Sequence, residues 1–469
     1  MTSLKSVFMV TIFLICGCLA KEYNVFCQYD LASYYFKERS QFFDWNMDSR
    51  LCTHLVVGSG IGVDGDTGKL KITDKPLLLG KNMLSSVKNM KVDSIKKVLF
   101  TVGGWKEESS HFSRMVAAPN MRNNFYTSVI DFMTKWGFDG VQIDWRYPTQ
   151  QGGYPEDRKN FVLFLEKLSL ILREHKFILM VAVSGRTNKR TLESYNIPDI
   201  VKNSDFVHLM MHDERDPYRN RLVYNAPLNG DNSVSDAIKH WKTHGMAPEK
   251  LILGIPLFVR SFTMDNNQTE VGSPCKGPGL RTKLSHRPGF MTYNEFCVKE
   301  SNWIRRFDQV AKVPYAMKGD QWVSYENGQS IWAKMHLLQK QKLGGAIAWT
   351  IDVDDFHGNC GERHGLLHVI FAALGDKNAL TTEEPTTEAS GLCPQDGFWR
   401  NGWDCRLYHE CNDGERIYYE CEEGQYFDEE QLICRPAKEV KCDQNFVIWR
   451  PGMPVYSLKN MPINLKIVD

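Results

Sequence analysis

Short runs of β-branched and aliphatic residues alternate with amphipathic stretches of helix length along most of this chain, and that alternation restricts the fold more than any other feature. Leu51–Val57, Lys97–Val102, Gly140–Asp144, Phe177–Val183, Asp205–Met211, Leu251–Ile255 and Ala346–Ile351 read as buried strands. Between them, Met121–Trp136, Arg158–His175, Val234–Thr243 and Ser330–Gln341 space their apolar residues as helices do. Repeated strand–helix alternation argues for a parallel α/β architecture. A closed barrel and an open doubly wound sheet both satisfy it, and composition does not separate them.

The segment Phe138–Pro148 stands apart from ordinary core. Successive side chains of a strand point to opposite faces. Val141, Ile143 and Trp145 therefore go one way, and Gln142, Asp144 and Arg146 the other. A face of carboxamide, carboxylate and guanidinium is a poor piece of core and reads as a site.

These residues resemble the signature of the family 18 glycoside hydrolases, the chitinases, in which Asp-x-x-Asp-x-Asp-x-Glu closes the fourth strand of a (β/α)8 TIM barrel. On that pattern Asp139 and Asp144 are kept, Gln142 stands for the middle aspartate and Arg146 for the glutamate. The resemblance implies that the glutamate position holds the general acid, that the substrate's acetamido group is the nucleophile, and that the last aspartate orients it. A guanidinium stays charged and has no proton to give near neutrality. Losing a general acid costs about 10²–10⁴-fold in rate. The expected catalytic set is therefore empty, and Asp139, Gln142, Asp144 and Arg146 form a degenerate motif.

The same resemblance marks the rest of a cleft. Trp349 matches the eighth-strand tryptophan that floors the sugar at the cleavage point, since aromatic faces stack on pyranose rings; a barrel-core tryptophan is the plainer alternative. Trp105, after Gly103-Gly104, matches the tryptophan following the third strand, and Tyr147 is grouped with it. Met210-Met211-His212-Asp213 matches Met-x-Tyr-Asp after the sixth strand, with His212 in place of the tyrosine that would bond the acetamido carbonyl. Phe258 and Val259 replace Tyr-Gly before Arg260-Ser261, and Gln28 replaces a first-strand tyrosine. Together these changes suggest a cleft that no longer grips N-acetylglucosamine as an enzyme does. Arg146 and Asp144, two apart on one face, are expected to pair and fill the space of the reacting sugar.

Met1–Ala20, with Lys5 before an apolar run from Val7 to Ile15, reads as a cleaved secretory signal, which makes the protein extracellular and soluble. The barrel is expected over 21–375. A Gly/Pro-rich interval at about 260–318 is too long for a simple loop and resembles the α+β insertion of the family. Asn267-Gln268-Thr269 within it is a glycosylation sequon, occupied or not. Residues 376–391, rich in Thr and Glu and without aromatics, form a linker, and 443–469 a tail of unassigned purpose. The intervening segment 392–442 holds six cysteines, Cys393, Cys405, Cys411, Cys421, Cys434 and Cys442, and needs such staples to fold at its size. Its spacings resemble the peritrophin-A chitin-binding module of arthropods. That resemblance implies pairing of first with third, second with sixth and fourth with fifth. Among the module's aromatics, Trp399, Tyr408, Tyr418 and Tyr419 are the foremost candidates for chitin contact, with Trp403 and Tyr426 beside them, and Phe427 reads as core. In the barrel the family 18 resemblance implies Cys27–Cys52 and Cys297–Cys360, leaving Cys275 unpaired.

A formal net charge of +1 argues against nucleic acid or an anionic membrane as main partner, and no stretch is long enough to span a bilayer. Metal sites are not expected. No Cys-x-x-Cys occurs, His208 and His212 would lie roughly 13 Å apart along a strand, and His364–His368 lacks the glutamate of a zinc helix. No cofactor is expected, and the protein should be a monomer. The resemblance, strongest to arthropod members including the chitinase-like allergens of mites, implies a secreted chitin-binding protein without the catalytic acid. Its ligand would be chitin or N-acetylglucosamine oligosaccharides, held mainly by the C-terminal module. The alternatives are a weak chitinase using Glu156 or Asp213 as substitute acid, or a growth-factor-like secreted ligand.

Overall fold

The computed structural model describes residues 23–36, 40–86, 90–91, 94–212, 220–265, 268–298, 303–375, 397–400, 407–412, 415–421, 424–428 and 431–440. The expected signal segment, linker and tail lie outside these residues, as do Asp213, Asn267, Cys393, Cys405 and Cys442.

Eight parallel strands close on themselves: β1 (Asn24–Asp30), β2 (His54–Gly58), β3 (Lys97–Gly103), β4 (Gly140–Asp144), β5 (Ile178–Ser184), β6 (Phe206–Met210), β7 (Leu251–Pro256) and β8 (Gly345–Trp349). Each pairs with its sequence neighbours, and β8 returns to β1 with Ala348 opposite Cys27. Of the two architectures that the strand–helix rhythm allows, the closed barrel is the one the family resemblance implies. Residues facing outward, such as Val141, Ile143, Leu253 and Ala348, pack under the helices in one large core. Inward-facing Phe26, Val56, Leu99, Met180, Ile252 and Ile347 form a separate apolar layer inside the barrel.

Trp145, just past β4, is fully buried among the helices. It stacks on Phe112, meets Phe161 edge-on, and donates its indole N–H to Ser109 Oγ at 2.6 Å. That anchor on the outer face fixes the direction of its neighbours Asp144 and Arg146 on the inner one. The close approach of β3 to β4 requires Gly103: at φ +101°, a Cβ there would stand 2.3 Å from the Asp144 carbonyl oxygen.

The insertion is a six-stranded sheet that begins earlier and ends later than its composition suggests. Phe258–Met264 pairs antiparallel with Gln321–Ser324, so the sheet runs from Phe258 to Ser324 and not only over 260–318. Disulfides join Cys27 to Cys52 and Cys297 to Cys360, while Cys275 is buried and free. In the C-terminal module, Gly397–Arg400, Leu407–Asn412 and Glu415–Glu420 form one sheet and Gln425–Asp428 with Ile433–Pro436 another, with Cys421 bonded to Cys434. Tyr408 corrects its sequence assignment as a chitin contact. It is 2% exposed and stacks on Phe427 at 4.0 Å, because its position faces the small core that Cys421 and Phe427 complete. Trp399, Tyr418, Tyr419 and Cys411 are placed on strands by their backbone alone.

Candidate active-site cleft

Above the apolar inner layer lies a layer of uncharged polar groups. Gln142 Nε2 donates to Thr101 Oγ1 at 3.0 Å and to Gln28 Oε1 at 3.3 Å, and its own carbonyl oxygen meets His208 Nδ1 at 3.2 Å. A carboxamide both donates and accepts, so it satisfies three buried neighbours without a charge. An aspartate here would only accept. Gln28 thus serves as a rung of this network. The sequence signal for it was Gln28 itself, a polar residue at an inward position of the first strand.

One layer further toward the C-terminal ends of the strands, Asp144 and Arg146 face each other. Arg146 donates from Nε to Asp144 Oδ1 at 2.9 Å and from Nη2 to Oδ2 at 3.0 Å, with the two side chains 6% and 1% exposed. The guanidinium carbon lies 5.5 Å from the Trp349 ring centroid. His212 stacks on the same indole at 4.2 Å, and Phe258 follows at 6.5 Å from His212. Burial, reinforced by the Arg146 charge, presses the His208 imidazole down to about 3 and holds His212 well below its ordinary value, so both rings are neutral. Neither ring nitrogen of His212 has a hydrogen-bond partner among the described residues.

Three expectations are corrected by this arrangement. Asp139 belongs to the opposite end of the barrel. Its carboxylate accepts from the Val98 amide at 2.9 Å and pairs with Lys91 at 2.8 Å and Lys97 at 3.5 Å, five residues and roughly 16 Å of strand from Asp144. Val259 points away from the cleft into the insertion core with Met291, Phe296 and Val323, as strand alternation demands once Phe258 faces His212. His208 and His212 are not 13 Å apart. The strand ends at Met210, the chain turns, and the ring centroids stand 5.9 Å from each other.

Met210 is buried beneath this cluster, and Tyr147 is half-buried against the barrel core with its carbonyl held by Ser109 Oγ. Trp105 stands out from the loop after β3, 64% exposed. Trp45, on the loop after β1, is more exposed still and stacks on Phe43 at 4.4 Å; an indole flanked by Asp44 and Asn46 was the signal available for it. Glu156 is exposed at the start of helix Asp157–Glu174. His364 is held by the Asn46 carbonyl at 2.7 Å and is buried with His368. The sulfurs of Cys297 and Cys360 lie near the Asp355 carboxylate, but their disulfide leaves them no ligand capacity.

A closed barrel of eight parallel strands, with a buried carboxylate at the end of β4 and an indole at the end of β8, is a (β/α)8 barrel with its polar cluster at the C-terminal ends of the strands. The chain belongs to family 18 of the glycosyl hydrolases, whose pattern it matches over residues 26–354, and residues 393–442 match the chitin binding Peritrophin-A domain. It is 31% identical over 366 residues to the endochitinase of Manduca sexta, a match covering 73% of this chain and 65% of that one, so it spans just under two thirds of that relative. It is 28% identical to the chitinase-like mite allergen Der p 18.0101 of Dermatophagoides pteronyssinus, over 83% of this chain and 87% of the allergen. The human YKL-39 structure, described as a pseudo-chitinase with retained chitooligosaccharide binding, superimposes with a TM-score of 0.69 at 28% identity, covering 76% of this chain and all of that one. Among the described residues, no helix is long and apolar enough to cross a membrane.

Proposed function

We propose that this is a secreted, catalytically silent chitinase-like protein that binds chitin mainly through its C-terminal module, with the barrel as scaffold and weak oligosaccharide-binding surface. The observation that carries this reading is the buried, two-point pairing of Arg146 with Asp144. A permanent cation stands where the resemblance places a proton donor, and it engages the carboxylate that would otherwise orient the acetamido group. His212 against one face of Trp349 supports the same reading, since a buried, neutral imidazole stands where the resemblance places the tyrosine hydroxyl that would bond the acetamido carbonyl. The Gln142 network supports it further, since it puts no carboxylate beneath Asp144 and burial keeps its His208 neutral.

Binding to chitin is supported by the Peritrophin-A match and by the pseudo-chitinase neighbour that keeps chito-oligosaccharide binding. Secretion is supported by the signal-like pattern of Met1–Ala20 and by the disulfides. A chitin pull-down of the full chain, of residues 21–375 and of residues 392–469 tests the division of labour. Retention of the full chain and the module, with little of the barrel, is the expected outcome. Equal retention of the barrel overturns it.

A further inference from the structure

From Val271 to Asn294 the insertion carries Lys276, Arg281, Lys283, His286 and Arg287 and no aspartate or glutamate. Lys276, Arg281, Lys283 and His286 are exposed, and Arg287 lies over the rings of Phe36 and Phe290 at 5.4 and 5.5 Å. Among the described residues none of the five forms an ion pair. In a chain of formal net charge +1 this is a local concentration of cations and does not reflect the whole surface.

The backbone holds these groups in place without their help. Gly289 donates its N–H to the Gly279 carbonyl at 2.9 Å, Gly279 donates to Ser261 at 2.9 Å, and Ser261 donates to Gly289 at 3.1 Å, which closes the neck of the loop. Inside the loop the Thr282 and Ser285 hydroxyls meet at 2.5 Å, and Ser285 Oγ also donates to the Phe290 carbonyl at 3.3 Å. With its polar interior satisfied and its ends pinned, the loop turns Arg281, Lys283 and His286 outward. Lys276 projects from the adjoining edge strand Cys275–Pro278. Arg281, Lys283, His286 and Arg287 fall within seven consecutive residues and Lys276 lies on the adjoining strand, so a multivalent anion can meet several of them together.

We propose that this loop binds an anionic polysaccharide bearing sulfate or uronate groups, separately from the chitin-binding module. Charge complementarity selects the class of ligand: guanidinium forks match sulfate and carboxylate oxygens, whereas neutral chitin has no use for them. The loop has no aromatic side chain between Lys276 and Pro288 on which nucleic-acid bases would stack. A single exposed leucine, Leu280, is too little apolar surface for membrane insertion.

The test uses the full-length, disulfide-intact protein on immobilised heparin, with dextran sulfate and neutral dextran as competitors. The Arg281→Ser/Lys283→Ser variant is compared with Lys159→Ser/Lys167→Ser, which removes the same charge from exposed positions of a distant helix. The expected result is retention at 0.15 M NaCl that dextran sulfate reverses and dextran does not. The loop variant should bind at least about tenfold more weakly, with its salt dependence reduced by about one to two logarithmic units of slope as two counterion-releasing contacts are lost. The helix variant should match wild type, and chitin retention should be the same for all three. Failure of the wild type to bind heparin overturns the proposal. So does identical elution of the two variants, or equal affinity for phosphatidylserine vesicles.

Discussion

The imidazole of His212 lies flat on the indole of Trp349, with ring centroids 4.2 Å apart and planes 14° apart. His212 is buried and Trp349 stays partly exposed, so the imidazole backs the indole from inside the barrel. The ends of β4, β6 and β8 converge on this contact, because Arg146, anchored on Asp144, has its guanidinium carbon 5.5 Å from the same ring. Asp144, Arg146, His208 and His212 are buried together beneath the partly exposed Trp349.

Removing Arg146 should unfold more than it opens. Arg146→Ala leaves the Asp144 carboxylate, 1% exposed, without its two-point partner. Breaking a buried pair from one side costs about 3–5 kcal/mol. Urea denaturation should show a loss of that size. A change within 0.5 kcal/mol would mean that the pair is solvated and the cleft open.

Restoring the acid alone should not restore the enzyme. In Arg146→Glu, Gln142 still offers Asp144 no carboxylate neighbour, His212 still stacks on Trp349, and Phe258 still stands beside His212 without a hydroxyl. Chito-oligosaccharide hydrolysis by this variant should stay at the background of the protein-free reaction. Turnover raised 10²-fold or more would show that one missing proton donor was the whole defect.

His208 and His212 should not titrate in the physiological range. Burial, then the charge of Arg146, holds both imidazoles neutral, His208 down to about 3. Their ring C–H resonances should stay constant from pH 8 to pH 5. A midpoint near 6.5 for either ring would mean that water reaches the pocket.

Asp139 should matter for stability and not for sugar. Asp139→Ala removes the acceptor for the Val98 amide and the partner of Lys91, at the far end of β4 from the cleft. A loss of about 1–3 kcal/mol in stability, with unchanged chito-oligosaccharide affinity by calorimetry, is expected. A shift in affinity would return Asp139 to the site.

Stability should fall as pH rises above neutrality. Burial raises the carboxyls of Asp354, Asp352 and Glu362 to about 7, 8 and 9, with Asp30 adding to Asp352 and Asp354 to Glu362. Unfolded, they ionise near 4, so the native state binds more protons between those values and stability is lost through that window. Burial presses His54, His364 and His368 down to about 4; they act in the opposite sense, but their contribution is complete above about pH 6.5. Between pH 6.5 and 9 only the carboxyls of this set act. Thermal unfolding should move down across that range. Glu362→Gln should flatten the fall by up to about 1.4 kcal/mol per pH unit.

How much of this was legible depends on whether the information is local. The period of two along β4 separates Gln142, Asp144 and Arg146 from Val141, Ile143 and Trp145, and those two sets do face the barrel interior and the helices. The same rule places Phe258 toward His212 and turns Val259 away, which a motif comparison taken position by position obscured. Spacing within a motif does not say which end of a strand a residue occupies, so Asp139 travelled with a site it does not join. The contact of His212 with Trp349 spans two strand ends far apart in sequence. It depends on a chain turn after Met210 that no periodicity encodes. Tyr408 was misplaced because a module this small recruits aromatics for its own core, and composition cannot tell a stacked core ring from a sugar-stacking one.

Whether Arg146 leaves Asp144 without chemistry shows in product release from a fluorogenic chito-oligosaccharide. The full-length protein is measured beside its Asp144→Asn variant. Both should match the protein-free rate while the full-length protein still pulls down with chitin. Turnover by the full-length protein that disappears in Asp144→Asn would contradict this expectation, because the carboxylate paired with Arg146 would then be doing chemistry.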